Sequence, residues 1–415
     1  MCRCVMGSCM RNGHSSTGAV ALLRDNVAFR RLWVSRSLSF IGDSLGGIAL
    51  LLHVADTEGS GTAVALLLLV GDFAPTFLSP LSGTLSDRFD RKRLMVVSEL
   101  AQGSIIGVIA LVNLPFAPLL ALVAVRSTLA GVFQPASRSA VTTLVPGNRL
   151  ESANAALGFG THGFDLIGPL AGAALLPVVG IRGMLLADAL TFVISAALLS
   201  RLPGLPPVPL EGESRLSFLR DARDGVEAIW SIRPIRVLTI GFCTAVAFSA
   251  SDDVALVFLA QDSLGGGDAA ASLLYAGAGT GLLIGFGLVA GIGGRVALAG
   301  MMLMGFAIAS GGNLLTGLAW SVPAAFGFQL VRGLGISLID VSVNTFVQRS
   351  VPPGMQGRVF ANLYGFIGIA AGVAYVTGGP LLDLSGPRLV FLVAGIGGLV
   401  ATVWMALRLP RSSME

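Results

Sequence analysis

The chain has 415 residues, is 54% hydrophobic and only 12% charged, and holds 27 Lys and Arg against 23 Asp and Glu, with a mean hydropathy of +0.81. Soluble domains carry about 25% charged residues, so a water-soluble enzyme is excluded and a chain living mostly in lipid is implied. No run of five basic residues occurs and the arginines fall between apolar stretches, which excludes nucleic acid as a partner and assigns the positive charge to membrane topology.

In chain order, residues 1–28 lack the apolar core of a signal peptide and carry Arg3, Arg11 and Arg24, so they read as a cytoplasmic tail. Cys2, Cys4 and Cys9 in that tail, with Cys243 far along the chain, offer neither a disulfide framework nor a matching His pair, so no metal site is expected. Twelve apolar segments follow, at residues 32–54, 63–85, 94–114, 119–141, 155–179, 183–202, 235–259, 269–292, 296–318, 322–347, 360–384 and 389–409. Each is long enough to cross a bilayer as a helix, which satisfies its own backbone there. The predicted fold is all-α, a polytopic membrane protein with 12 transmembrane helices. Residues 29–202 form a first six-helix bundle, 203–234 a cytoplasmic linker, 235–409 a second bundle and 410–415 a cytoplasmic tail. Within the linker, residues 217–232 have apolar positions at near-helical spacing; a helix lying on the membrane surface and a plain solvated loop both fit.

With the N-terminus placed inside, 22 of the 27 basic residues fall on the inner side. Arg182 and Arg388 fall outside, and Arg36, Arg126 and Arg332 lie within spans. This bias puts both termini in the cytoplasm of a multi-pass protein of the cell membrane, expected to be a bacterial inner membrane. The halves also repeat. Val125-Arg126 precedes Val145-Pro146 by the same interval that separates Val331-Arg332 from Val351-Pro352. Ala153-Asn154 answers to Ala361-Asn362, and Gly168-Pro169 to Gly379-Pro380. Two same-orientation repeats of six spans predict two pseudo-symmetric bundles facing a central cavity.

The loop after the second span, Gly83-Thr84-Leu85-Ser86-Asp87-Arg88-Phe89-Asp90-Arg91-Lys92-Arg93, resembles the signature loop of the major facilitator superfamily, with Asp90 where that family usually has a second glycine. The resemblance implies that Gly83 permits close helix packing and that Asp87, Arg88 and Arg91 form a gating latch on the cytoplasmic side. Arg126, followed by Gly131, is similar to the family's buried-arginine motif, and an arginine at that depth pairs with an acid or faces water. Gly163, Gly168, Pro169 and Gly172 in the fifth span resemble the motif marking antiporters and drug exporters of the superfamily, whose glycines and proline make a packing hinge. With Phe29-Arg30-Arg31-Leu32-Trp33 and Asp188-Ala189-Leu190-Thr191-Phe192, the chain resembles the branch holding macrolide-efflux and enterobactin-export proteins.

No GxxxxGK phosphate loop occurs, so ATP is not the expected energy source, and no HExxH element points to an enzyme. The alternative is ionisable groups within the membrane: Asp43, Asp72, Glu99, Asp165, Asp188, Asp252, Asp253 and Asp340, against Arg126 and Arg332. A carboxyl that alternates between a dry setting and an arginine partner takes up and releases a proton. By depth, Asp43, Asp72, Asp165, Asp252 and Asp253 lie near mid-span, Glu99 near the cytoplasmic end and Asp188 near the outer end. Asp43 is the leading carboxylate for proton or substrate and Arg126 the group that tunes it. Adjacent Asp252 and Asp253 point about 100° apart on a helix and are not expected to face one partner. Asp340, two turns from Arg332, reads as its structural counter-ion. His162 reads as a packing residue, while Asn154, Gln329 and Asn344 suit either a cavity wall or helix-to-helix contacts.

The function expected is proton-coupled secondary active export of drug-like or secondary-metabolite molecules by alternating access, with the proton as coupling ion and no other cofactor. The acid excess favours a cationic or neutral amphiphile as cargo. A siderophore or other endogenous-metabolite exporter is the alternative, followed by a symporter or a lipid translocase. The working unit is expected to be a monomer.

Overall fold

The computed structural model describes residues 19–73, 89–206, 215–292 and 297–409, with no strand among them. The helices are α1 (Ala19–Asp25), α2 (Val27–Glu58), α3 (Gly61–Phe73), α4 (Arg91–Leu111), α5 (Phe116–Leu144), α6 (Leu150–Ser200) and α7 (Arg215–Ser231). They continue with α8 (Arg233–Ser249), α9 (Asp252–Phe258), α10 (Gly267–Ile292), α11 (Leu298–Gly317), α12 (Val322–Ser350), α13 (Gln356–Ser385) and α14 (Pro387–Arg408). Among the described residues ten stretches are long and apolar enough to span a bilayer, and α3 is a shorter apolar helix. Gly180, at φ 67° and ψ 177°, splits α6 into two arms, the fifth and sixth spans. Only glycine holds that backbone conformation without strain. The architecture is therefore the two-bundle all-α membrane fold.

Local chemistry sets the helix ends. Asn26 caps α2 by accepting from the Phe29 amide at 2.9 Å, and its amide group donates to the Leu144 carbonyl at 2.8 Å, tying the start of α2 to the end of α5. Gly59, in the left-handed region at φ 60°, closes α2. Asp90 caps α4, accepting from the Arg93 amide at 3.0 Å, and its φ of −58° needs no glycine. The seventh span is not one helix: α8 stops at Ser249, α9 begins at Asp252, and a π-turn over Leu259–Ser263 follows. Part of the N-terminal stretch read as tail is ordered too, since α1 buries Leu22 in the same cluster as Phe29, Leu32 and Val141. Helix α7 forms over the charged end of the linker, and Gly225 brings it against Arg358 and Asn362 of α13.

The apolar cores report how the halves meet. At the face where α2 ends, one continuous cluster joins Leu52, Val64 and Ile109 of the first half to Leu256, Leu274 and Phe391 of the second. At the opposite face each half has its own cluster, around Phe29 and Phe133 in the first and around Phe306 and Val347 in the second. Among the described residues, burial thus joins the bundles at the Glu58 face, and at the Val27 face each bundle has a core of its own. Polar contacts follow the same division: Asp383 of α13 accepts from the Gly61 amide (2.6 Å), the Thr62 amide (3.1 Å) and the Ser60 hydroxyl (3.0 Å), and Gln261 donates to Asp56 at 3.1 Å.

Candidate functional site

Three spans of the first half converge on one guanidinium. Arg126 of α5 is bonded to Asp43 of α2 and stands 3.9 Å from Asp188 of the second arm of α6, with its guanidinium 5.6 Å from the Phe192 ring centroid. Asp188 is fully buried, whereas the Asp43 side chain keeps 38% exposure. Asp188, read as lying near the outer end of its span, belongs to this central cluster. Gly42 and Gly46 of α2 admit it, since a methyl on either would strike its carboxyl.

The second half repeats the arrangement. Arg332 of α12 donates to Asp252 at 2.9 Å and to Asp253 at 3.4 Å, and Asn313 of α11 donates to the other Asp252 oxygen at 2.7 Å. Gln329 accepts from Arg332 at 3.5 Å and donates to Thr316 at 3.3 Å. Two expectations are corrected here. Asp252 and Asp253 do share a partner, because they open a helix just past the break at Ala250 and Ser251, and one guanidinium bridges both. Asp340 is not the counter-ion of Arg332: it accepts from Asn344 at 3.1 Å, and the acids of α9 take the arginine instead. Asp43 and Asp252 stand 209 positions apart, against 206 for the two arginines, so the ion pair itself is duplicated between the halves.

Toward the Val27 face of the first half lies a second polar group. Arg36 donates to Ser137 at 2.9 Å and to Gln134 at 3.2 Å and sits 5.6 Å from the Phe40 ring centroid. Buried Glu99 accepts from Ser39 at 3.4 Å, and both line, with Arg36, Phe40, Gln134 and Asp43, a small cavity of about 30 Å³. Position along a span places Glu99 and Asp188 near helix ends, whereas the face each presents to its neighbours brings them to the cluster. The spacing of Gly42 and Gly46 was the available signal for Asp188.

Asp72 accepts from the Tyr375 hydroxyl at 3.3 Å, across the junction of the halves. It borders a cleft of about 320 Å³ between α3 and α13, with Phe73, Asn362, Tyr364 and Phe366. Tyr364 donates to Asn344 at 3.1 Å, linking this wall to Asp340. In the fifth span Gly168 packs on Ser44 of α2 within the first half, and Gly172 approaches Met184 of the sixth span and Ser272 of α10, so Gly172 sits where the two halves touch. Gly163, Asp165 and Pro169 lie on the same arm of α6, and their side chains, with those of Asn154 and His162, are outside the described residues. Gly83, Asp87 and Arg88 are outside them altogether. Arg91 is buried at the start of α4 and donates to Thr143 at 3.4 Å.

An all-helical chain that crosses the bilayer repeatedly, with duplicated ion pairs buried inside its two bundles, defines a multi-pass membrane transporter. The chain belongs to the Major Facilitator Superfamily, whose family model matches residues 32–361. It is 26% identical over 387 residues to the uncharacterized MFS-type transporter YfiS of Bacillus subtilis, covering 90% of this chain and 91% of that one. It is 22% identical over 389 residues to macrolide efflux protein A of Streptococcus pyogenes, covering 89% and 93%. Similarity to the enterobactin exporter EntS of Citrobacter koseri reaches 29% over 205 residues, covering 48% and 49%. Among solved structures, a POT family transporter in complex with 5-aminolevulinic acid matches with a TM-score of 0.73 and 12% identity, covering 93% of this chain and 96% of that one, a likeness of fold.

Proposed function

We propose that this transporter is a proton-coupled exporter of drug-like or secondary-metabolite molecules, cationic or neutral and amphiphilic, acting as a monomer in a bacterial inner membrane with both termini in the cytoplasm. The observation that carries the reading is the duplicated carboxylate–guanidinium pair, Asp43 with Arg126 and Asp252 with Arg332, one in each bundle. Such pairs are costly in lipid and persist where they bind an ion or a substrate. The basic-residue bias makes the Val27 face cytoplasmic. The shared core at the other face and the Asp72 cleft on the cytoplasmic side of it support access from the cell interior. The wall of Phe73, Tyr364 and Phe366 beside Asp72 suits an aromatic or amphiphilic cation. A siderophore or other endogenous-metabolite exporter remains the second reading, favoured by the partial similarity to the enterobactin exporter.

Inverted membrane vesicles given a macrolide, a quaternary amine and a catecholate siderophore test both readings. Accumulation of at least one compound driven by the pH gradient and abolished by a protonophore is the expected result. Accumulation that survives the protonophore and follows ATP overturns the coupling; preference for the siderophore alone selects the second reading.

A further inference from the structure

Asp188 carries an inference beyond the duplicated pair, and it rests on the proton-coupled reading above. Its side chain is fully buried and, among the described residues, neither carboxyl oxygen meets a hydrogen-bond donor. The slot between Gly42 and Gly46 fits it by shape, yet supplies no hydrogen, because backbone amides inside a helix are spent on the helix. The charged groups around it are Asp43 from α2, Glu99 from α4 and Arg126 from α5. Helix α10, on the other side of α6, brings Asp268 in its first turn, and its Tyr275 is bonded to the Asp253 carbonyl. The same Arg126 nitrogen that bonds Asp43 is the one 3.9 Å from Asp188.

One guanidinium balances one carboxylate. A second ionised carboxylate, buried without donors, is not accommodated, whereas a carboxylic acid is. We propose that Asp188 is the proton-binding acid of the first half and that Arg126 is a counter-ion shared between Asp188 and Asp43. While Asp188 holds its proton, Arg126 neutralises Asp43. When Asp188 releases the proton to water, its new charge draws Arg126 across the slot, and Asp43, half exposed to the interior, is left as a free carboxylate for a cationic cargo. Proton release and cargo binding are then two ends of one guanidinium movement, and return of the proton to Asp188 restores the Asp43 pair and expels the cargo. Export coupled to proton entry follows from the sign of these steps.

Infrared difference spectra of the full chain in nanodiscs, taken between acid and alkaline pH, read the proton without any substrate. The carboxylic-acid C=O band is expected in wild type and in Asp43→Asn, and lost in Asp188→Asn, which keeps the shape that fits the slot; Gly46→Ala, which fills the slot, shifts the band. In inverted vesicles with ethidium as probe, Asp188→Asn is expected to lose accumulation driven by the pH gradient while retaining downhill ethidium exchange. A band that persists in Asp188→Asn, or gradient-driven accumulation unchanged in that variant, overturns the assignment while leaving proton-coupled export intact. A band that follows Asp188 in a protein showing no gradient-driven transport in wild type supports the site and refutes the exporter.

Discussion

At residue scale, the two ion pairs differ in their support. Arg126 serves two acids and keeps its Nε without a hydrogen-bond partner among the described residues, while Asp252 is held on one side by Arg332 and on the other by Asn313. The second pair is therefore the more rigid. Removing one partner of a buried pair strands the other, at a cost of about 3–5 kcal/mol. Arg332→Ala is expected to lower the thermal unfolding midpoint in detergent, and the joint variant Asp252→Asn with Arg332→Gln to recover most of the loss. An Arg332→Ala protein as stable as wild type contradicts this. The arginines were legible in the sequence because charge inside an apolar run stands out. Their partners were not, because the pairing depends on which helix faces meet: Asp340 lies nearer to Arg332 in sequence, yet Asp252 is the acid in contact.

At element scale, hydropathy and length were enough to read the spans, because lipid demands a helix of about 20 apolar residues whatever its packing. The break between α8 and α9 and the π-turn after it were not legible, since apolar residues continue through both. That break matters to the site. It turns Asp252 and Asp253 into the first residues of a new helix, from which both reach Arg332. The hinge at Gly180 left a clearer trace, a glycine between two apolar segments. Alanine at that backbone conformation costs about 1–3 kcal/mol. Gly180→Ala is expected to lower stability by that order in a thermal assay. Gly47→Ala, on α2 with no neighbouring atom within 4 Å of the added methyl, is expected to lose nothing. Equal effects of the two substitutions contradict the hinge assignment.

At the scale of the whole molecule, the described residues of the two bundles share a core at one face and form separate cores at the other. The internal repeat made two bundles legible, but which face is closed depends on contacts between them. Asp383 is the polar clasp of the closed face. Its carboxylate collects amide and hydroxyl hydrogens at the start of α3, where the helix dipole favours a negative charge. In the alternating access proposed above, this face opens as the other closes. The most direct measurement is the distance between spin labels on Glu58→Cys and Ser385→Cys, in a background without native cysteines, with and without Asp383→Ala. A short-distance population is expected with the clasp intact, and a longer one gaining weight when Asp383 is removed. An identical, single short distance in both proteins would contradict it.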